Sequence, residues 1–304
     1  MDPLSDVLSL LKPRSYLSAG FDAGGRWCLQ FGQFDGIKII AVVSGRCWLA
    51  VDGLADVFEV MEGDCFLLPH GHSFRLASDM SLPPVDAKTV FPPVRRGGVA
   101  VHNGGGEFFM TGSHFTLTGH HAGILLSVLP PVVRIRDEAG RSALRWSLER
   151  MGHELREQLP GNTLVAENLA HMMLVEMLRS YLSDGFAGRE GWLFALGDKQ
   201  IGNAISHIHE DPAARWTVGS LAGRVGMSRT AFAVRFKSIV GVSPMNYLKR
   251  WRMLIAADRL AHSDKSVSAI ASSIGYESES AFGLAFKQTM GCSPREYSRA
   301  RRAL

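Results

Sequence analysis

The chain lacks most of the marks that assign a protein to a class at sight. Its four cysteines, Cys28, Cys47, Cys65 and Cys292, are scattered with no C-x-x-C spacing. That pattern argues against a zinc site or a redox pair and agrees with inert thiols in a reducing compartment. No apolar run approaches the roughly 18 residues of a membrane span; the best candidates, 39–43 and 124–133, are short or broken by Pro130-Pro131. Asp2 and Asp6 stand where a secretory leader would be basic, so the expected compartment is the cytoplasm. No G-x-S-x-G elbow, P-loop or H-E-x-x-H pair occurs, which removes the commonest hydrolase, nucleotide-binding and zinc-protease readings.

What is present is a globular composition, 46% hydrophobic and 20% charged over 304 residues, enough for two or three domains. The net charge of +4 is unevenly spread. Residues 201–304 carry 15 Lys and Arg against 7 Asp and Glu, whereas the first 200 residues carry 18 against 22. A basic third joined to an acidic remainder points to a polyanion partner for the C-terminal part.

That basic third repeats itself. Val218–Gly226 matches Val267–Gly275 at an offset of 49, and Ala231, Phe232, Phe236, Lys237, Gly241, Ser243, Pro244 and Tyr247 return at an offset of 50. Each copy reads as helix, turn, helix. Thr217 and Ser266 are placed as N-caps, and Val218, Leu221, Ala222 and Val225 share one helical face, as do Val267, Ile270, Ala271 and Ile274. Gly226 and Gly275 stand at the turn, and the Phe pairs at i, i+4 point into a core. Between the copies Ser243 caps a long helix with Pro244 at its first position, running to about Ala261. Some 18 residues span roughly 27 Å, comparable to the roughly 34 Å between major-groove windows on one face of DNA.

Residues from about 200 to 302 thus resemble the DNA-binding domain of the AraC family of transcription regulators. The motifs that carry the likeness are Gly275-Tyr-Glu-Ser-Glu-Ser-Ala-Phe282, Ala285-Phe-Lys287 and Gly291-Cys-Ser-Pro-Arg-Glu-Tyr297. The resemblance implies recognition helices at Ser228–Val240 and Ser278–Met290. Their DNA-facing residues would be Ser228, Arg229, Thr230, Ala233, Val234 and Lys237, then Ser278, Glu279, Ser280, Gly283, Leu284 and Lys287. Lys249, Arg250 and Arg252 on the connecting helix, with Arg295, Arg299, Arg301 and Arg302, are placed to neutralise phosphates. Many relatives carry Arg two residues before the second Phe, where this chain has Val234 and Leu284. Apolar groups touch thymine methyls but make no bidentate contact to guanine, so an A·T-rich or shape-read site is expected.

From Trp27 to Thr118 the pattern changes to short β-branched and aromatic runs separated by glycine turns. Strands are expected at 27–34, 38–43, 46–51, 64–68, 73–77, 99–102 and 114–118, with 82–98 a proline-rich loop. Such spacing indicates an all-β barrel or jelly roll. Gly63-Asp-Cys-Phe-Leu-Leu-Pro-His-Gly71 resembles the second cupin motif, but Phe74 stands where the metal-binding His would be, and no histidine precedes His70 for the first motif. His70, His72, His102, His114, His120 and His121 cluster beside glycine-rich turns and read as loop histidines, a substitute metal site among them being the alternative. No catalytic residue, metal ligand or cofactor is therefore assigned. With Ser44–Leu49 and Leu125–Val133, the segment resembles the cupin-type effector domain of one branch of AraC regulators, which implies a barrel that accepts a small-molecule effector. Arg46, Trp48, Arg75, His102 and His114 are candidates to line it, strand alternation leaving each either inside or outside.

From Ala143 to Ser183 helical spacing returns. Leu144, Leu148, Met151 and Leu155 form a narrow seam, and after Pro160-Gly161 a second helix carries Leu169, Met172, Met173, Val175, Met177, Leu178 and Leu182. The resemblance favours a homodimer through these helices; packing within one chain is the alternative. The expected organisation is α+β multidomain, with residues 1–133 a cupin-like barrel, 134–185 a helical dimerisation connector, 186–199 a linker and 200–304 an all-α tandem helix-turn-helix domain. Double-stranded DNA is the expected partner, RNA polymerase contact is usual in the family, and no membrane is expected. Nothing in these residues separates activator from repressor. A cupin-fold enzyme fused to a DNA-binding module, and a ligand-independent architectural DNA-binding protein, are the other readings.

Overall fold

The computed structural model describes residues 2–11, 14–91, 98–116, 126, 129–135, 138–183 and 191–302. They fall into two compact units: one from residues 14–183, the other joining 2–11 to 191–302.

In the first unit β1 (Arg14–Ala23), β3 (Ile37–Ser44), β6 (Cys65–Leu68), β9 (Val99–His102), β10 (Phe108–Thr116) and β11 (Val133–Arg134) form a sheet in the order β11-β6-β3-β10-β1-β9. A second sheet runs β5-β4-β7-β2-β8, built from β5 (Val57–Met61), β4 (Arg46–Val51), β7 (Phe74–Ala77), β2 (Cys28–Phe31) and β8 (Val85–Asp86). The period of two along each strand decides the core. Ile40 and Val42, Cys47 and Leu49, Phe66 and Leu68, Phe74 and Leu76, and Phe108 and Met110 face one another inside. Aromatic rings fill the centre: Phe21 and Trp27 meet edge to face at 5.1 Å, and Phe31 stacks on Phe74 at 4.5 Å. Phe74, at the position of the absent metal-binding His, is thus a core residue.

The expected strands lie within one to three residues of those seen at β2, β3, β4, β6, β7 and β9. The expected 114–118 strand is the end of the longer β10, its last two residues lying outside the described ones. β1 and β5 were not expected at all. The short helix α2 (Ala87–Val90), N-capped by Asp86, interrupts the expected 82–98 loop, of which 92–97 lie outside the described residues.

Helices α3 (Glu138–Glu157) and α4 (Asn162–Ser183) pack on each other and against this barrel. Leu144, Leu148, Met151 and Leu155 are all buried, as the seam required, but the seam closes within the chain. Gly152 passes close to Phe109, so close that a Cβ there would lie 3.3 Å from the ring, and Arg156 covers the same ring at 3.7 Å. Asp64, at the head of β6, links this strand to β11 and α3. Its buried carboxylate accepts from the backbone N–H of Met61 and from Arg134 at 2.9 Å, with Arg141 at 3.9 Å.

The second unit is helical: α1 (Pro3–Leu11), α5 (Trp192–Ala195), α6 (Lys199–Glu210), α7 (Val218–Arg224), α8 (Arg229–Val240), α9 (Pro244–His262), α10 (Val267–Ser273), α11 (Glu279–Met290) and α12 (Pro294–Arg302). Two boundaries differ from expectation. Residues 192–195 form a buried helical turn against α8 rather than a linker, because Trp192, Leu193 and Phe194 supply apolar area. Residues 2–11 belong here and not with the barrel: Leu4 and Val7 are buried, and α1 packs on α6 and α9. Under α1, His209 stacks on Trp251 at 3.7 Å and shares a hydrogen bond with the Tyr247 hydroxyl at 2.9 Å. Burial pushes the His209 imidazole down to about 3. Its approach to Asp6, 3.3 Å from Nδ1, is therefore that of a neutral ring to a carboxyl group and not an ion pair.

Candidate nucleic-acid interface and barrel pocket

Both repeats fold as their spacing requires. Thr217 accepts from the N–H of Ser220 at the head of α7, and Ser266 from Ala269 at the head of α10. Gly226 and Gly275 follow these helices with φ of 67° and 82°, the left-handed region that glycine enters without strain. Ser228 and Ser278 then cap α8 and α11, accepting from Ala231 and Ala281. Inside, Phe232 and Phe236 lie 5.6 Å apart and Phe282 and Phe286 5.5 Å apart, all four fully buried. With these faces anchored, the opposite faces are set. Thr230, Val234 and Lys237 in the first copy, and Ser280, Leu284 and Lys287 in the second, are exposed at i, i+4, i+7. Val234 is 66% exposed and Leu284 63%, so both aliphatic groups stand on the outer face. Ser228, Arg229, Ser278 and Glu279 are exposed at the helix starts, while Ala233 and Gly283 are half-buried beside them.

The basic residues divide by what holds them. Arg250 is exposed. Lys249 donates to Gln288 Oε1 at 3.0 Å, which links α9 to α11. Arg252 departs from its expected phosphate role: its guanidinium donates to the carbonyls of Pro212 and Ala214 at 2.6 and 2.9 Å, so the domain's own backbone occupies it. Arg235, which sequence reasoning passed over, bridges α8 to Asp198 at 2.7 Å and Gln200 at 3.1 Å. Glu279 is answered by Arg295 at 3.2 Å. Gln288, four residues beyond Leu284 and exposed, was also missed, although helical spacing alone puts it on the same face.

A family model described as cupin matches residues 2–183, and one described as helix-turn-helix domain matches residues 221–300. Over 298 residues, 98% of either chain, the sequence is 42% identical to an AraC-like transcription regulator of Streptomyces antibioticus and 41% identical to one of Streptomyces lividans. The chain belongs to the AraC-like transcription regulators. It is a DNA-binding transcription regulator with an N-terminal cupin domain and a C-terminal helix-turn-helix domain. Among solved structures, the DNA-binding domain of AdpA in complex with a target DNA is 35% identical to it, covering 33% of this chain and 91% of that one at a TM-score of 0.33.

Among the described residues the barrel of this AraC-like regulator has an open pocket of about 500 Å³ counting the solvent space at its mouth, walled by Phe31, Lys38, Phe74, Phe91, Met110 and His114 among others. Of the five residues suggested as lining, only His114 does so. Its Nε2 donates to the Asp35 carbonyl at 2.5 Å, and burial lowers its pKa. Arg46, Trp48 and Arg75 fall on the outward phase of β4 and β7, whose alternate residues Cys47, Leu49, Phe74 and Leu76 point in; Arg46 pairs outside with Glu59. His102 is half-buried beside Phe21, 6.2 Å between rings, and is not part of the pocket lining. Lys38 was missed because it reads as the polar start of an apolar strand. Among the described residues no three His, Cys, Asp or Glu side chains converge as metal ligands, and no helix is long and apolar enough to cross a membrane. His120 and His121 lie outside those residues.

Proposed function

We propose that this regulator is one-component and effector-responsive: a small molecule held in the cupin barrel alters how the tandem helix-turn-helix domain engages its operator. The observation that carries the reading is the pairing, in one chain, of two exposed recognition faces with a barrel that keeps an open apolar pocket. DNA contact is assigned to Ser228, Arg229, Thr230, Val234, Lys237, Ser278, Glu279, Ser280, Leu284 and Lys287, with the small Ala233 and Gly283 allowing close approach. Lys249 and Arg250 serve the phosphates, and Arg252 acts indirectly, by holding the 212–214 backbone. The aliphatic Val234 and Leu284 favour an operator read through thymine methyls and DNA shape.

The protein acts in the cytoplasm as a homodimer and has no catalytic role of its own; the burial of Phe74 at the usual metal-ligand position supports the last point. The Leu144 seam is consumed inside the chain, so the dimer contact falls on the outer faces of α3 and α4, where Trp146, Leu164 and Met172 are 61%, 64% and 50% exposed. Contact with RNA polymerase follows from the regulator reading.

The test is a salt titration of binding to random duplex DNA and to the protein's own upstream region. Salt-dependent binding to both, with the upstream fragment tighter, is expected. Absence of binding by folded protein, with and without candidate effectors, would remove the proposed DNA-contact set.

A further inference from the structure

One charged group in the barrel is not accounted for by the core around it. β3 turns alternate residues inward, and Val42 and Ile40 meet apolar neighbours. Lys38, the next inward position, instead brings an ammonium into the pocket. Its Nζ lies 4.3 Å from the ring centre of Phe34, 5.3 Å from that of Phe74 and 5.5 Å from that of Phe31. Among the described residues no carboxylate reaches ion-pair distance of it. Ring faces attract a cation but do not neutralise it, and a cation taken from water without a counter-ion is costly. Burial accordingly pushes the Lys38 ammonium down to about 8, which still leaves it mostly charged at neutral pH. A sequence with no use for this charge would place Leu or Met here, as it places Met110 on the neighbouring strand of the same lining.

The titratable neighbour is His114, in register with Lys38 on the adjacent strand. Its ring meets Phe34 edge to face at 5.7 Å, and burial, with the Lys38 charge, lowers its pKa against the opposing effect of Asp35; an imidazole in either form offers Lys38 no negative charge. The remaining wall is apolar and aromatic, with Phe31 stacked on Phe74 and Phe91 beside them. A ligand that fits both features carries one negative charge at the Lys38 end and a compact apolar body against the rings.

We propose that the barrel binds a compact monocarboxylate with an aromatic or apolar body, its carboxylate on Lys38 Nζ. The proposal rests on the effector reading above and names the chemical class of the effector.

The test uses the full chain and 4-phenylbutyrate, titrated calorimetrically at pH 7 beside its neutral and cationic twins, 4-phenylbutanol and 4-phenylbutylamine. The acid is expected to bind about tenfold or more tighter than the alcohol, as a hydrogen bond to a charged group warrants, and the amine not at all. Lys38→Met keeps the apolar stem, and it should erase the preference for the acid while leaving the alcohol's affinity in place. Lys38→Arg should retain the preference. Acid affinity should fall as pH rises through about 8 in the native protein and not in Lys38→Arg, whose guanidinium stays charged. Thermal melts establish that each variant is folded; should Lys38→Met fail to fold, the pH contrast with Lys38→Arg decides. Equal binding of acid and alcohol, a preference that survives Lys38→Met, tightest binding of the amine, or no binding of any probe at millimolar concentration would each overturn the proposal. Acid binding through Lys38 with unchanged DNA affinity would leave the site standing and remove the effector reading instead.

Discussion

The two helix-turn-helix units share an interior and differ in what surrounds it. In both, a Phe pair, a Ser-Pro helix start and a left-handed glycine build the same bend. The first copy's turn glycine, Gly226, sits in open space, whereas Gly275 lies against its neighbours: a Cβ there would fall 2.4 Å from the Ala213 carbonyl and 2.9 Å from the Arg252 guanidinium. Around the second copy, Arg252, Arg259 and Lys249 of α9 bond to the 212–214 backbone, to Ser273 and to Gln288. The DNA-facing starts differ too. Glu279 is exposed beside Arg295, while Arg229 at the matching place makes no ion pair among the described residues. The repeat thus keeps one interior in both copies while its outer residues differ: the first copy is tied through Arg235 to Asp198 and Gln200, and the second through Arg252, Arg259 and Lys249.

The largest way to sharpen this contrast is at the turns. Gly275→Ala should destabilise the helical unit by roughly 2–4 kcal/mol, since strain in φ adds to a backbone clash. Gly226→Ala meets only the left-handed penalty of about 1 kcal/mol. Denaturant unfolding of the two variants measures the difference, and equal losses would mean that the close approach of Ala213 is not maintained.

A smaller effect is expected at the helix starts, and with opposite signs. Arg229→Ala should weaken DNA binding about three- to tenfold and lower the salt slope by about one phosphate contact. Glu279→Ala removes a negative charge and releases Arg295, so it should strengthen binding while raising that slope. Matching signs in a fluorescence-anisotropy salt series would show that the two copies do not present these positions alike. Smallest is the thymine-methyl contrast. Replacing thymine by deoxyuracil under Val234 or Leu284 should cost about 0.8 kcal/mol per buried methyl, and nothing in the corresponding Ala variant. An operator indifferent to the replacement would assign those side chains to shape reading alone.

How far the molecule was legible depends on how local its signals are. The caps Thr217 and Ser266, the turn glycines and the i, i+4 phenylalanines act within one or two helical turns, so each helix-turn-helix copy was legible locally, and the bounds of the recognition helices came from the family resemblance. Strand runs such as Ile37–Ser44 were legible for the same reason. β5, with Asp56, Glu59 and Glu62 in and around it, and β10, with Gly112 and Ser113 inside, carry weak local propensity and exist because neighbouring strands complete their hydrogen bonds. The exposure of the expected helix faces was legible, whereas in the barrel a single phase choice sends Arg46, Trp48 and Arg75 outward.

By itself the sequence determined the tandem repeat, its exposed faces, the acidic-basic division of the chain and the barrel's strand-rich character, because caps, glycines and side-chain period act over a few residues. Tertiary structure alone decided that α1 joins the helical unit, that the Leu144 seam closes against its own chain, that Arg252 serves backbone carbonyls, and that Lys38 enters an aromatic pocket. Each of those outcomes depends on residues far apart in sequence competing for the same buried surface or the same hydrogen bond, and local pattern carries no record of which partner wins.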